Sequence, residues 1–222
     1  MNTLRNPSLI LLAFLAFPAA AAENGALVTR LQGKVNIAPV GQSMQSLAPF
    51  YRLKADDRLE LAEGATLQLV FLQNGRQENW RGPLTLVTGS DASRCQPAPC
   101  QAEVKQLPAA VLATLSRTPT VFNNIRNRSG MVLVRSSGES DEQREAQATY
   151  RQLREQADND DITPELYLLT RLYQLRLYRE IPKVLEDMQA RQPDNPELQV
   201  AQRQFNTQLQ EQQRRRRARL EE

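Results

Sequence analysis

The chain of 222 residues contains no histidine. This excludes Ser/His and Cys/His nucleophile systems, and it excludes zinc or iron sites that use imidazole ligands. Histidine is also the usual proton carrier near neutral pH, and no two carboxylates stand in a recognisable catalytic constellation. The sequence therefore predicts a protein that is not an enzyme and that has neither a metal ion nor a cofactor.

Long hydrophobic runs are almost as scarce. The one clear run, Leu9–Phe17, follows the positive charge of Arg5 and precedes four alanines that end at Ala22, directly before Glu23. A run of about nine residues is too short to span a bilayer as a helix, and the small residues match a signal-peptidase site. We predict that residues 1–22 are a signal peptide, cleaved near Ala22-Glu23, and that the protein is periplasmic. A retained membrane anchor is the alternative.

Cysteine is limited to Cys95 and Cys100, in the segment SRCQPAPCQ. Redox pairs of the oxidoreductase type prefer two intervening residues rather than four, and a metal site needs more ligands than two thiolates. An even cysteine count in an oxidising compartment favours a structural disulfide. We predict that Cys95 and Cys100 form a disulfide that closes a local loop.

Charge is unevenly distributed along the chain. Residues 23–120 carry 10 basic and 8 acidic residues, whereas residues 139–212 carry 9 basic and 15 acidic residues. Segments with different charge and different hydrophobic periodicity indicate separate modules. The predicted order is a signal peptide (1–22), a β domain (23–104), a connector (105–138), a helical module (139–212) and an arginine-rich tail (213–222). The connector could contribute one further strand to the β domain.

The β domain is predicted from alternation and turn signals. Apolar residues alternate with polar ones in short runs, and Asn74-Gly75 is a strong hairpin signal. Strands of four to six residues separated by regular turns favour a small all-β sandwich or roll. The lone Trp80 suits a packing position in a half-buried strand better than a ligand-stacking one. The alternating residues are Val35 and Ile37, Leu59 and Leu61, and Leu67, Leu69 and Phe71.

The order of these elements resembles the FecR-type domain of bacterial envelope proteins. The matching segments are VTRLQGKV (Val28–Val35), LKADDRLEL (Leu53–Leu61), Gly64-Ala65 with LQLVF (Leu67–Phe71), and Asn74-Gly75. Asp56-Asp57 stands where the family usually has Gly-Asp, so we expect a differently formed turn there. The resemblance implies a β fold and an envelope location. Family members that transmit iron-complex signals carry an anti-sigma segment and a membrane span. Because the predicted signal peptide directly precedes the β region, we do not expect this chain to use that mechanism.

The connector and the helical module show helical periodicity. QLPAAVLATLSR predicts a short helix between Pro108 and Pro119, and the apolar run Met131–Val134 is the strand that the connector could return. Ser140 followed by acids predicts a helix start, and Thr163-Pro164 predicts another, with the threonine as cap.

A helix–turn–helix pair that ends in PDNPE resembles a tetratricopeptide repeat, whose 34-residue unit would start near Ile162 if Pro193 is its closing proline. An ordinary helical hairpin packed as a cap is the alternative. The predicted fold class is therefore α+β with segregated domains, a small β sandwich or roll followed by an α-helical hairpin module. The predicted helical core positions are Leu168, Leu169, Leu172, Ile181, Leu185 and Met188.

The C-terminal segment RRRRARLEE concentrates positive charge. Such a run is most commonly a solvated tail. The alternative is a binding segment, whose partners outside the cytoplasm would be anionic lipid headgroups or acidic polymers. Nucleic acid is not predicted, because no aromatic residues are interleaved with the arginines. The candidate contact residues are Arg214, Arg215, Arg216, Arg217 and Arg219.

These features together predict a non-catalytic, exported envelope protein that acts as a binding or scaffold module. The helical part would dock a protein or peptide, and the β domain would hold a ligand or a second partner. The alternative is a periplasmic signalling or regulatory component that works with a membrane sensor. Envelope proteins are the expected partners in either case.

Overall fold

In the computed structural model, which describes residues 25–96, 98–127 and 140–221, a β region is followed by a helical region. The described residues form ten strands and six helices. The strands make two antiparallel sheets of five strands each, which confirms the predicted α+β fold class. The predicted signal peptide and the predicted Met131–Val134 strand lie outside the described residues.

The two sheets are assembled from short strands, and the chain passes from one sheet to the other several times. Sheet A has the spatial order β10-β7-β6-β1-β4, and its strands are β1 (Ala26–Gln32), β4 (Arg52–Leu53), β6 (Thr66–Phe71), β7 (Arg76–Arg81) and β10 (Glu103–Gln106). Sheet B has the order β3-β2-β5-β8-β9, and its strands are β2 (Val35–Ala38), β3 (Gln45–Ser46), β5 (Arg58–Leu61), β8 (Leu84–Thr88) and β9 (Ser93–Gln96).

The predicted hairpin joins β6 to β7 in sheet A. Gly75 has a φ of 76°, in the left-handed region that glycine tolerates best, and its amide donates to the carbonyl of Phe71 at 2.9 Å. The side-chain oxygen of Asn74 accepts from the amide of Arg76 at 3.0 Å. The Asn-Gly signal therefore located this turn correctly, through the backbone conformation that it demands.

The turn before β5 contains the Asp56-Asp57 pair. Asp56 has a φ of 66°, the left-handed conformation that glycine favours and that aspartate tolerates better than most residues. The carboxylate of Asp57 accepts from the amide of Lys54 at 2.8 Å. The aspartate pair thus forms a tight turn without a glycine.

Sheet A is buried on both faces. In β6, Leu67, Leu69 and Phe71 belong to the core between the two sheets, whereas Val70 belongs to the core of the helical region. Alternate residues of a strand point to opposite faces, so one face of sheet A packs on sheet B and the other packs under the helices. The molecule therefore has three layers, sheet B, sheet A and helices.

The helical layer consists of α1 (Ala109–Leu115), α2 (Thr118–Arg126), α3 (Asp141–Gln156), α4 (Thr163–Gln174), α5 (Ile181–Arg191) and α6 (Pro196–Glu221). Helix α4 is central and contacts α1, α2, α3 and α5, while α6 packs on α2 and α5. The predicted short helix between Pro108 and Pro119 is confirmed as α1. The segment predicted as a connector thus contributes α1 and α2 to the helical layer, and its first two residues, 105 and 106, end β10.

The predicted helix starts agree with the structure in one case and differ in the other. The hydroxyl of Ser140 accepts from the amide of Gln143 at 3.1 Å, which confirms Ser140 as the N-cap of α3. Thr163 is the first residue of α4 rather than its cap. The N-cap is Ile162, which has no side-chain acceptor, and the carboxylate of the preceding Asp161 accepts from the Thr163 amide at 2.8 Å instead.

Polar contacts hold the loop between α3 and α4 against sheet A. Arg30 in β1 pairs with Asp160 at 2.5 Å, and Lys105 in β10 pairs with Asp158 at 2.7 Å. The Gln77 amide in β7 donates to the buried carboxylate of Asp161 at 2.9 Å. Buried polar groups need partners, so the bond between Gln77 and Asp161, both buried, fixes the loop on the sheet, and the two partly exposed ion pairs add to it.

Candidate docking groove on the helical layer

A groove of about 540 Å³ lies on the outer side of the helical layer, between α3, α4 and α5. Half-buried Leu168 of α4 gives the groove floor its accessible apolar surface, and the nearly inaccessible Leu172 of α4 and Val184 of α5 line the floor with it. Residues four apart on a helix share one face, which is why Leu168 and Leu172 lie on the same side of α4. The remaining lining residues are Gln147, Tyr150 and Arg151 on α3, Arg179 and Glu180 in the α4–α5 turn, and Lys183 and Asp187 on α5.

The rim of the groove carries charged side chains, and only some of them have a partner within the protein. Lys183 donates to Asp187 at 2.9 Å within α5, and the carboxylate of Glu180 accepts from the side-chain amide of Gln143 at 2.8 Å. Arg151 and Arg179 are exposed, and neither has an ion-pair partner among the residues that the structure describes. The groove therefore combines an apolar floor with two available cations.

The α3 wall of the groove is held by a buried carboxylate. Glu165 of α4 is fully buried and lies 3.1 Å from Nη1 of Arg154 and 3.1 Å from Nε of Arg191. The hydroxyl of Tyr150 donates to the same carboxylate at 3.1 Å. Side chains of α3, α4 and α5 thus meet at one buried charge, and Tyr150 connects that charge to the groove wall.

Tyr150 is a neutral part of the groove wall over the ordinary pH range. Burial, and then the negative charge of Glu165, raise the pKa of Tyr150 to about 12. Its hydroxyl is used in the bond to Glu165. What Tyr150 offers a partner is therefore an uncharged aromatic surface.

The predicted disulfide is confirmed. Cys95 in β9 is bonded to Cys100, with 6.2 Å between their Cα atoms, and both side chains pack beside the sandwich core. The bond closes the loop between β9 and β10, which belong to different sheets. It is a structural link at the edge of the sandwich and lies apart from the groove.

The predicted arginine-rich tail continues α6, which is a single helix from Pro196 to Glu221. Gln208 is its last buried residue among those described. From there to residue 221 the helix extends for about 20 Å, at a rise of 1.5 Å per residue. Arg214 and Arg217 are exposed, and the side chains of Arg215, Arg216 and Arg219 lie outside the described residues.

The predicted core positions divide into two groups. Leu169, Leu172, Ile181, Leu185 and Met188 are buried as expected, whereas Leu168 is only half-buried and packs at the border of the core, on the groove floor. Trp80 is 6 % exposed, and its indole N–H donates to Glu78 at 2.9 Å. It is therefore a packing residue of the sandwich core.

The sequence pattern predicts that the α4 leucines lie in the helical core, and it does not reveal the groove. The available signal was the spacing of Gln147, Tyr150 and Arg151, which places them on one face of α3. That spacing does not reveal which helix lies opposite. Only the packing of α3 and α5 on either side of α4 brings these residues to one surface.

Residues 25–96, 98–127 and 140–221 contain no group of three Asp, Glu or Cys side chains placed to hold a metal ion. Within the same ranges, no helix combines the length and apolar character needed to cross a membrane.

Comparison with protein-family models, with curated proteins and with solved structures finds no match for this chain.

Proposed function

We propose that this protein is an exported, non-catalytic binding protein of the bacterial envelope, which docks a segment of a partner protein in the groove between α3, α4 and α5. The observation that carries the proposal is the apolar floor formed by Leu168 and Leu172 inside a charged rim. Concave surfaces with apolar floors and few polar groups are the usual form of binding sites. Helices that present such a surface commonly receive a peptide segment.

Export and periplasmic location rest on the signal-peptide pattern of residues 1–22 and on the disulfide between Cys95 and Cys100. Disulfides persist in oxidising compartments such as the periplasm. The FecR-like pattern of the β region supports the same location.

The β sandwich serves in this proposal as the rigid platform of the helices. One face of sheet A packs on sheet B and the other lies under the helical layer. A ligand or second partner of the β region would therefore use the outer face of sheet B or its loops. Arg214 and Arg217, exposed near the end of α6, are available for a further contact with an anionic lipid or polymer.

Site-specific photo-crosslinking in living cells tests the docking function. A photoreactive residue is placed at Gln147 on the groove wall or, as the matched control, at exposed Gln210 on α6. We expect a discrete crosslinked product from position 147, none of the same size from position 210, and loss of the product when Leu168→Gln makes the floor polar.

Equal products from both positions, or a product that survives Leu168→Gln in a folded protein, would refute docking in the groove. Circular dichroism of the purified variant establishes that it is folded. A product identified as an inner-membrane sensor would favour the regulatory alternative. A product identified as a subunit of a stable envelope complex would favour the scaffold.

A further inference from the structure

Building on the proposed docking function, we infer that the groove recognises a partner segment in which an apolar side chain stands between two acidic residues about four positions apart. The apolar side chain would contact the floor at Leu168 and Leu172. One acidic residue would pair with Arg151 and the other with Arg179. The chemistry of the partner is thus that of a short acidic–apolar peptide segment.

The sign of the charge follows from the pairing within the groove. Lys183 is paired with Asp187, and Glu180 accepts from Gln143. Arg151 and Arg179 are left without an ion-pair partner among the described residues. The lining carries three cations, Arg151, Arg179 and Lys183, and two carboxylates, Glu180 and Asp187. Cations are therefore in excess, so an acidic segment that pairs with Arg151 and Arg179 is favoured over a basic one.

The spacing follows from the geometry of α3. The bond from Gln143 to Glu180 places the α4–α5 turn, and hence Arg179, beside the first turn of α3. Arg151 lies eight residues further along α3, which corresponds to about 12 Å at 1.5 Å per residue. An extended peptide advances about 3.3 Å per residue, so about four residues cover this distance.

The surfaces between the two arginines favour an apolar side chain. Leu168 and Leu172 form the floor there, and Tyr150 adds an aromatic wall whose hydroxyl is already bonded to Glu165. A polar side chain of the partner would lose water contacts in this stretch without a new partner, which is unfavourable.

A displayed library of random nine-residue peptides tests the inference on the mature protein, residues 23–222. The selected peptides are sequenced, and their Kd values are measured by fluorescence anisotropy. We expect enrichment of Asp or Glu on both sides of Leu, Ile or Phe, with the two acidic residues three to five positions apart. Arg151→Glu and Arg179→Glu should each weaken binding about fivefold or more, since each removes an ion pair and adds a repulsion.

Arg203→Glu is the matched control, because Arg203 is exposed on α6 outside the groove, and it should leave Kd unchanged. Selected peptides that lose binding with Leu168→Gln but show no acidic preference would overturn this inference and leave the docking function standing. Selection of no peptide that depends on Leu168 would overturn both. An equal effect of Arg203→Glu and Arg151→Glu would mean that only net charge is recognised, and would also overturn the inference.

Discussion

Replacing Glu165 by glutamine should destabilise the protein strongly, because it removes one charge on which three helices converge. Glu165 is fully buried, and its carboxylate lies 3.1 Å from nitrogens of both Arg154 and Arg191 and accepts from the Tyr150 hydroxyl. Breaking a buried ion pair by removing one partner costs about 3–5 kcal/mol, because a charge is left uncompensated.

The structure places the expected loss at the lower end of that range. The side chains of Arg154 and Arg191 are 17 % and 28 % exposed, so water partly compensates their charge. They also keep backbone acceptors, the carbonyl of Asp161 at 2.6 Å for Arg154 and the carbonyl of Asn159 at 2.9 Å for Arg191. We therefore expect Glu165→Gln to lower the free energy of unfolding by about 3 kcal/mol.

Urea unfolding of residues 23–222, followed by circular dichroism, measures this loss. A loss of about 3 kcal/mol corresponds to a decrease in melting temperature of about 6–12 °C for a domain of this size. Glu155→Gln is the matched control, since Glu155 is an exposed residue of α3 and surface substitutions stay within about 0.5 kcal/mol. Coincident unfolding curves for the two variants would refute the view that Glu165 holds the helical layer together.

Three further predictions concern other parts of the molecule. The pKa of Tyr150 is raised to about 12 from an ordinary value of 10, so the folded protein holds the hydroxyl proton of Tyr150 more tightly than the unfolded chain does. The stability that this shift contributes is therefore complete below pH 10 and is lost as the pH rises toward 12. Urea titrations across that window should show a shallower decline for Tyr150→Phe, and parallel declines would contradict the assignment. Replacing Cys95 and Cys100 together by serine should lower the free energy of unfolding by about 2 kcal/mol on the chain-entropy model. The reduced wild-type protein should have the same stability as the double variant. An unchanged unfolding midpoint would count against the structural role of the disulfide. Asp56→Val should lower the free energy of unfolding by about 1–3 kcal/mol, because a β-branched residue fits the left-handed conformation poorly. The control Asp56→Gly should leave the stability nearly unchanged. Equal stability of the two variants would contradict this prediction and show that the turn can change its conformation.

Much of the local structure could be predicted because local chemistry decides it. The hairpin at Asn74-Gly75 requires a positive φ, which glycine permits. The start of α3 requires an acceptor for its free amides, which Ser140 provides. The cap of α4 was placed wrongly at Thr163 because an aspartate two residues earlier is an equally good acceptor, and only the path of the loop over sheet A brings Asp161 into reach.

The sequence by itself determined that a β region precedes a helical region, together with the Asn74-Gly75 turn and the disulfide, since periodicity, turn residues and cysteine spacing depend on near neighbours along the chain. Tertiary structure alone decided that sheet A is covered on both faces, because alternation shows that residues such as Leu69 and Val70 point in opposite directions but not what each will meet. It also decided that Leu168 lines a groove rather than a core. An apolar residue on a helix is assigned to one or the other only by the elements that pack beside it, and here α3 and α5 flank α4 without closing over it.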